Sequence, residues 1–395
     1  MKIIAILEDD IEVGGGFNQA LNAIQQMQRI CEGRFEFEVL VKTASGAAGL
    51  KLLGIPATPF AFTLADRLFL YLGANPWTRR LLWRWRLVSS FENQLSRRGC
   101  DLAYFVRQSV LSGMLQRLNY VTTLFDLCHR DSPEFPEVRE FGEFQVREQY
   151  FQTHLSGAVI VLADSVELAA AASRRYGLDA DRLLAMPFAP ASFLEARTSD
   201  DKASVLRKHG LAEGYLFYPA QFWAHKNHIR ILEALVLLAG RGQRPEVVFC
   251  GGDKGNLRHL ERFVDQNDLR GQVRILGFVP AQEMRGLYEA CAAVLMPTYF
   301  GPTNLPPLEA WAMGKPLIYS TRCADHAGDA ALCVDPDNAE DLARAIQRAS
   351  DPEVAADLAR RGHRRLEQLQ QQRSEAEAEL LRRLRQFEAR RKCWA

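Results

Sequence analysis

The sequence of 395 residues lacks the marks of several protein classes. Its eight cysteines include no C-x-x-C pair and several lie in apolar runs, so they indicate small core residues and not a zinc site or a disulfide framework. No uninterrupted apolar run of about 18 residues predicts a membrane-spanning helix. The net charge is only +1, with 49 basic and 48 acidic residues, and we therefore expect no nucleic-acid partner.

The N-terminus also lacks a targeting pattern. MKIIAILEDD enters an apolar strand at once, without a basic region, a longer apolar segment or a cleavage site of small residues. Together with unpaired cysteines typical of a reducing compartment, this favours a cytoplasmic protein.

Short apolar runs alternate with helical patterns along most of the chain, which predicts parallel sheets covered by helices. The pattern changes character near residue 190. We predict a Rossmann-like domain over 1–190, a linker over 191–202, a second Rossmann-like domain over 203–350 and a charged helical tail over 351–395. The predicted fold class is α/β, with the two parallel-sheet domains facing each other across a cleft.

The stretch FGPTNLPPLEAWAMGKP (300–316) follows a predicted strand and begins a short helix. In open parallel sheets, ligands bind beyond the carboxyl ends of the strands, where helix N-termini present free N–H groups. Asn304 stands at the N-cap position, two prolines fill the first turn and Gly314 ends the helix. Glu309 is then placed to accept two hydroxyl groups of a ribose. The alternative, to which we give equal weight, is that the Glu309 carboxylate binds no ligand and only interacts favourably with the positive end of the helix dipole.

A second strand, loop and helix, YPAQFWAHKNHIRILEAL (218–235), carries basic residues directly before its helix. Asn227 is predicted to cap the helix, and Lys226 lies in the loop with His225 and His228. An ammonium group at this place can reach the oxygens of a departing diphosphate and stabilise its developing charge. We expect the two motifs to lie at the same end of one sheet.

With these motifs, the second half of the chain resembles the nucleotide-binding domain of family 4 glycosyltransferases, retaining enzymes of the GT-B fold. Ala220 to Asn227 match the family's G-R-L-x-x-x-K-N loop, and 300–310 match its E-x7-E motif of the form E-G-F-G-L-P-P-L-E-A. The resemblance is strong over roughly 215–350 and extends to the first half only in layout. It implies that Lys226 contacts the donor diphosphate and that Glu309 binds the ribose. The remaining predicted donor-binding residues are Gln221, Gly301, Pro302, Thr303, Asn304 and Leu305.

Two positions depart from the family's motifs. Gln221 stands where the family has an arginine, which leaves one cation in place of two, so we expect another basic group or an amide cradle to assist the leaving group. Gly301 stands where the family has the first glutamate. We expect Thr303 or Asn304 to hydrogen-bond the donor sugar instead.

Glycines follow the first strand, at GGGF (14–17), and begin a helix. This is similar to the glycine-rich loop of the family's N-terminal domain, which contacts donor or acceptor. Glycine allows the backbone to approach a phosphate closely. The predicted residues of this loop are Gly14, Gly15 and Gly16.

The segment TLFDLCHRDSPEFPE (123–137) resembles the family's H-D-x-x-H-x-x-x-P-E region. Phe125 replaces the first histidine, so Asp126 and His129 are the polar groups that remain. We predict a catalytic role for both. For His129 a purely structural hydrogen bond is an equal alternative.

Neither a metal nor another cofactor is predicted. DAD (179–181) and DPD (335–337) formally match the D-x-D pair of the other glycosyltransferase fold, but both lie where loops and turns are expected.

A basic and aromatic stretch, PWTRRLLWRWRLVSSFENQLSRRG (76–99), stands out in an otherwise neutral chain. Such a stretch is able to lie on an anionic membrane surface. A helix packed on its own domain, with its arginines extended to solvent, is the alternative.

Taken together, the sequence predicts a retaining hexosyltransferase that moves a sugar from a nucleotide-diphosphate sugar to a glycan or lipid-linked glycan in bacterial-type surface polysaccharide assembly. The predicted location is cytoplasmic, with peripheral contact to the inner membrane through 76–99. The alternatives are a sugar-nucleotide epimerase or hydrolase on the same fold, or a non-catalytic subunit that binds a sugar nucleotide.

Overall fold

The computed structural model describes residues 1–8, 15–191, 194, 201–301 and 304–394, with all side chains there except those of 15–18, Pro76 and Trp83. The chain divides into two compact units. Unit 1 comprises Met1–Leu127, Phe144–Pro187 and Gln372–Ala395, and unit 2 comprises Cys128–Glu143 and Phe188–Gln371. The domain boundaries at 190, 202 and 350 stay a prediction.

Strands and helices alternate along the described residues. The strands are β1 (Lys2–Leu7), β2 (Glu36–Val41), β3 (Thr58–Pro59), β4 (Leu102–Phe105), β5 (Asn119–Leu124), β6 (Ile160–Ala163), β7 (Leu183–Ala185), β8 (Leu216–Pro219), β9 (Val247–Cys250), β10 (Val273–Ile275), β11 (Ala293–Met296), β12 (Leu317–Ser320) and β13 (Leu332–Val334). The helices are α1 (Gly15–Cys31), α2 (Ala44–Leu52), α3 (Leu64–Ala74), α4 (Pro76–Arg84), α5 (Ser90–Arg97), α6 (Cys128–Asp131), α7 (Pro136–Arg139), α8 (Glu143–His154), α9 (Val166–Tyr176), α10 (Lys202–His209), α11 (His228–Gly240), α12 (Leu257–Gln266), α13 (Ala281–Ala290), α14 (Leu305–Ala312), α15 (Ala324–Ala327), α16 (Ala339–Ala349) and α17 (Pro352–Arg391).

Unit 1 is built on a sheet whose described strands run in the order β3-β2-β1-β4-β5-β6-β7, all paired in parallel. The strand β1 lies inside the sheet, and its residues Ile3 to Leu7 are apolar because both of its faces are buried. Ile3, Ala5 and Leu7 enter one core cluster, whereas Ile4 and Ile6 enter the other. The alternation places the two cores on opposite faces of the sheet.

Unit 2 is built on a second parallel sheet, with its described strands in the order β10-β9-β8-β11-β12-β13. The strand order reverses between β8 and β11, because β9 and β10 lie on one side of that pair and β12 and β13 on the other. Loops that follow these two strands therefore meet at a topological switch point, the usual ligand position of open α/β sheets.

The last helix, α17, contributes to both units. Its residues up to Gln371 belong to unit 2 and those from Gln372 onward to unit 1. Ala376, Leu380 and Leu384 are buried in a core cluster of unit 1.

The prediction of two Rossmann-like parallel sheets with a C-terminal helix is confirmed. The strands β3 and β7 were not predicted. The stretch 76–99 is not one helix, since it breaks after Arg84 and Ser89 caps the next helix. Ser165 caps α9, because its hydroxyl accepts from the Leu168 amide.

Candidate functional site

Two loops of unit 2 form the candidate site at the switch point. One follows β8 and contains Gln221 to Lys226. The other follows β11 and leads into α14. Because β8 and β11 are neighbouring parallel strands, their carboxyl ends lie at the same edge of the sheet. The expectation that both motifs lie at one end of one sheet is confirmed.

Lys226 and Asn304 connect the two loops. The Lys226 ammonium donates to Asn304 Oδ1 at 3.0 Å. The Asn304 amide nitrogen donates to the Gly301 carbonyl and to the Tyr319 hydroxyl, each at 2.9 Å. Asn304 is buried, so both ends of its amide are fixed inside the protein. The arrangement holds the ammonium group of Lys226 at the mouth of α14.

Asn304 occupies the predicted N-cap position of α14, but its side chain makes no capping hydrogen bond. The second and third residues of the helix are Pro306 and Pro307, which have no N–H group to donate to a cap. The Asn304 amide is used for the contacts with Lys226 and Tyr319 instead.

Asn227 likewise occupies the predicted N-cap position of α11 without a capping hydrogen bond. Asn227 adopts a left-handed conformation, and its amide nitrogen donates to two carbonyl groups, of Pro297 and of Pro336.

Glu309 is buried within α14 and is only 4% exposed. Its Oε2 accepts a hydrogen bond from the Tyr288 hydroxyl at 2.5 Å. Burial raises the pKa of the Glu309 carboxyl from 4.5 to about 7, against the hydrogen bond from Tyr288, which lowers it. A carboxyl group of this kind both donates and accepts hydrogen bonds near neutral pH.

The two departures from the family's motifs have local explanations. Gly301 has a φ of 109°, a conformation that suits glycine, and an added Cβ would lie 2.9 Å from Asn304 Oδ1. A glutamate at 301 would therefore disturb the residue that holds Lys226. Gln221 accepts from the indole N–H of Trp223 at 3.1 Å. Leu305 is buried at the start of α14, and Pro302 and Thr303 lie outside the described residues.

The two histidines beside Lys226 differ in their environments. His225 is stacked on Phe300 with ring centroids 3.9 Å apart and contacts Glu137. His228 is fully buried between the rings of Tyr218 and Phe222. Burial lowers the pKa of His228 to about 3, so this ring is neutral. His228 is therefore a core residue and not a diphosphate ligand.

The remaining predicted residues are not part of this cluster. Asp126 belongs to unit 1, where its carboxylate accepts from Arg147 at 2.9 Å. His129 belongs to unit 2 and is fully buried in α6. Gly15 and Gly16 begin α1, and Gly14 lies outside the described residues. The functional roles of these residues stay predictions.

Three residues of the site were not predicted from the sequence: Glu137, Tyr288 and Tyr319. Tyr288 and Tyr319 lie in apolar segments whose period indicates only burial. Glu137 lies three residues beyond the proline and glutamate of the family's motif. In the described part of the chain, no three His, Cys, Asp or Glu side chains gather where they could hold a metal ion.

Residues 213–351 match the sequence profile of the family Glycosyl transferases group 1. This range contains both loops, Lys226 and the whole of α14. The chain carries a group 1 glycosyltransferase domain.

Two glycosyltransferases align with more residues than this domain contains. The O-antigen chain mannosyltransferase B of Escherichia coli is 28% identical over 231 residues, which are 57% of this chain and 60% of that protein. The D-inositol 3-phosphate glycosyltransferase of Pseudarthrobacter chlorophenolicus is 28% identical over 246 residues, or 58% of this chain and 54% of that protein. The chain thus spans little more than half the length of the curated relatives that it matches.

Solved structures extend the likeness to the whole fold. Anabaena HepE, in a crystal structure with UDP and glucose, matches with a TM-score of 0.71 at 16% identity, over 96% of this chain and 99% of that chain. This likeness extends beyond the group 1 domain, and it confirms the GT-B fold predicted from the sequence. Membership of family 4 and the retaining mechanism stay predictions.

Proposed function

We propose that the protein is a retaining hexosyltransferase that moves a sugar from a nucleotide-diphosphate sugar to a glycan or lipid-linked glycan acceptor, in surface polysaccharide assembly of the bacterial type. The observation that carries the proposal is the pair of Lys226 and Glu309 at the switch point of a group 1 glycosyltransferase domain. The likeness to an O-antigen mannosyltransferase supports the acceptor class.

In this proposal Lys226 binds the diphosphate of the donor. When the bond between the sugar and the diphosphate breaks, negative charge grows on the departing oxygen, and an ammonium group fixed beforehand stabilises that charge without reorganising. Asn304 supplies the fixation, because it holds Lys226 from a buried position. The positive end of the α14 dipole adds further positive potential through the N–H groups of Leu305 and Leu308, because the two residues between them are prolines.

Glu309 binds the ribose of the nucleotide. Tyr288 holds one carboxyl oxygen from inside the protein, which orients the group for the hydroxyls of the ribose. The acceptor hydroxyl attacks the sugar on the face that the diphosphate leaves and gives its proton to the departing diphosphate. This step needs no nucleophile from the enzyme. Asp126, His129 and the glycines at 14–16 would serve the acceptor or donor from the first half of the chain.

A thermal-shift screen against UDP, GDP, dTDP, CDP and ADP tests the donor site. A ligand at about 100 times its dissociation constant stabilises a protein by roughly 2.7 kcal/mol, a shift of several degrees. We expect one diphosphate to stabilise the wild type, and Glu309→Ala and Lys226→Ala to lose most of that shift. Glu261→Ala, an exposed glutamate on α12, is the matched control and should keep it. If none of the five shifts the wild type, the transferase proposal is wrong.

A separate experiment addresses the non-catalytic alternative. With the stabilising nucleotide known, the corresponding sugar nucleotides are incubated with the wild-type protein and a glycan acceptor. Transfer of the sugar with release of the diphosphate supports the enzyme, whereas tight binding without release would support a binding subunit.

We also propose that the protein works at the cytoplasmic face of the inner membrane and contacts it through residues 76–99, here called the basic surface. This segment contains six arginines and one acidic residue, Glu92. Glu92 is fully buried and accepts hydrogen bonds from backbone amides, which leaves the exposed part of the segment basic. Trp77 and Trp85 are 76% and 65% exposed. Exposed tryptophans beside arginines suit an anionic lipid surface.

Co-sedimentation with vesicles of phosphatidylcholine, with and without phosphatidylglycerol, tests the basic surface. No helix in the described ranges is both long and apolar enough to cross a bilayer, so binding would be peripheral. We expect the protein to pellet only with anionic vesicles and the Trp77→Ala, Trp85→Ala double variant to remain in the supernatant. Trp394→Ala removes another exposed tryptophan, outside this surface, and should pellet like the wild type. Equal binding by all three proteins would contradict the proposal.

A further inference from the structure

A segment from the first half of the sequence takes part in the donor loops of unit 2. Cys128–Glu143 belongs to unit 2 although the strands before and after it belong to unit 1. Within it, Phe135 packs against Tyr299 and Phe300, with ring centroids 5.0 and 5.6 Å apart. Pro136 begins the short helix α7 and fixes the backbone between Phe135 and Glu137. The segment therefore presents an aromatic ring and a carboxylate to the same pair of loops.

Glu137 makes the polar part of this contact. Its Oε1 accepts from the backbone N–H of His225 at 2.8 Å and is also hydrogen-bonded to the ring Nδ1 of the same residue. The Glu137 side chain is only 8% exposed. Burial raises the pKa of Glu137, but the hydrogen bonds and the charge of His225 outweigh burial and bring it below its ordinary value. Glu137 is thus an ionised carboxylate committed to one partner.

His225 connects Glu137 to both loops of the donor site. Its ring lies flat on Phe300, at an interplanar angle of 14°. Its carbonyl accepts from the Tyr299 amide at 2.9 Å and from the Thr298 hydroxyl at 3.2 Å. Lys226 is the next residue in the chain. A shift of His225 would therefore move Lys226 and the loop that leads to α14 together.

We propose that Glu137 is a positioning residue of the donor site, which fixes the turn Ala224–Lys226 and through it the ammonium group that binds the diphosphate. The inference rests on the proposed function. Glu137 itself need not touch the donor, because it acts through the backbone N–H and the ring of His225. Glu137 lies outside the sequence motifs of the donor domain, and only the fold brings it there.

The test measures the affinity of the nucleoside diphosphate that best stabilises the wild type among UDP, GDP, dTDP, CDP and ADP. Glu137→Ala should weaken this affinity about tenfold, the size expected when one charge-assisted hydrogen bond is lost. Glu137→Gln keeps an acceptor oxygen for the His225 amide and should recover part of the loss. Glu140→Ala, an exposed glutamate of the same segment outside the family's motif, is the control and should bind like the wild type.

A double variant distinguishes positioning from a general loss of stability. If Glu137 acts through Lys226, then adding Glu137→Ala to Lys226→Ala should weaken binding by less than about twofold. A full tenfold loss in the Lys226→Ala background, or unchanged affinity in Glu137→Ala alone, would overturn the inference and leave the proposed function standing. If Glu137→Ala does not melt cooperatively, Glu137→Gln takes its place in both backgrounds. A wild type that binds none of the five diphosphates would overturn both proposals.

Discussion

Glu309 is the residue whose chemistry depends most on its burial. It is a carboxyl group inside a helix, with a tyrosine hydroxyl as the hydrogen-bond partner that the structure gives for it. In the unfolded chain its pKa is near 4.5, whereas burial raises it to about 7 in the folded protein. Between these values the folded state holds a proton that the unfolded state has lost. Stability contributed by the neutral carboxyl group therefore falls as the pH rises through this window.

This gives a pH-dependent prediction for Glu309→Gln. The glutamine keeps an acceptor for Tyr288 and cannot ionise, so it avoids the loss that the wild type suffers between pH 4.5 and about 7. We expect the free energy of unfolding of the variant, relative to the wild type, to rise by about 3 kcal/mol between pH 5 and pH 8. Urea unfolding at the two pH values measures it. Glu261→Gln serves as the exposed control. If the difference in free energy of unfolding between Glu309→Gln and the wild type does not change with pH, Glu309 ionises with its ordinary pKa.

Asn304 is the second residue with a definite expectation. Asn304→Ala removes the acceptor for Lys226 and the donor to Tyr319 in a buried place, so nucleotide affinity should fall about tenfold and stability by about 1–3 kcal/mol. Tyr319→Phe removes one hydroxyl of the same network and should give a smaller loss of affinity. The matched control is Tyr215→Phe, whose hydroxyl donates to the Leu287 carbonyl instead. Calorimetric titration would decide, and equal affinities for Asn304→Ala and the control would exclude this role for Asn304.

At this scale the sequence predicts the positions of side chains better than their partners. Lys226 and Glu309 could be found because Lys226 lies directly before a helix, and Glu309 follows a proline-containing helix start after an apolar strand. The partners of Asn304 could not be found, because only the fold brings Lys226 and Tyr319 within hydrogen-bonding distance of it. Glu137 could not be found because its partner, His225, is 88 residues away in the sequence.

Among the elements, α14 depends on its contact with α17. Trp311, two residues after Glu309, is fully buried and donates from its indole N–H to the Ala330 carbonyl at 3.0 Å. Gly362 of α17 packs against its ring, and a Cβ added there would lie 2.5 Å from Trp311 Cδ1. The absence of a side chain at 362 thus lets the two helices approach each other closely.

Gly362→Ala should therefore behave contrary to the usual rule for helices. Glycine to alanine inside a helix commonly stabilises by about 0.5–1 kcal/mol. Here the methyl group must displace a hydrogen-bonded tryptophan, and we expect a loss of about 1–3 kcal/mol with weaker nucleotide binding, because α14 carries Glu309. Gly240→Ala, where an added Cβ meets nothing within 4 Å, is the control. Thermal unfolding with and without nucleotide measures both effects, and stabilisation by Gly362→Ala would contradict the packing.

Most elements of unit 2 were predictable because their strands are continuous apolar runs, whereas β3 and β7 of unit 1 were not predicted. β3 has two residues, one of them proline, and β7 has three residues directly before Met186 and Pro187. They are strands because a neighbouring edge offers hydrogen bonds, which is a property of the sheet and not of the segment. The break between α4 and α5 is likewise set by the packing of Ser89 and Phe91 into unit 1, whereas the arginines alone suggested one continuous stretch.

In the whole molecule, α17 is the element that the sequence described least completely. Its charge pattern predicts a long solvated helix, and a helix of 40 residues is observed. Three of its later residues, Ala376, Leu380 and Leu384, are buried with the apolar side chains of α1 and β1. The sequence of α17 does not show which unit its few apolar residues pack into, because the residues that they contact lie at the opposite end of the chain.

The final prediction follows from that placement. Leu384 is fully buried in the core of unit 1, so Leu384→Ala should destabilise the protein by about 2–5 kcal/mol. Arg385→Ala, the exposed neighbour on the same helix, should change stability by less than about 0.5 kcal/mol. Calorimetric unfolding of the two variants compares them directly. Because the donor site lies in unit 2, the folded Leu384→Ala protein should keep its nucleotide affinity, and a loss of affinity equal to that of Glu309→Ala would mean that the end of α17 also shapes the donor site.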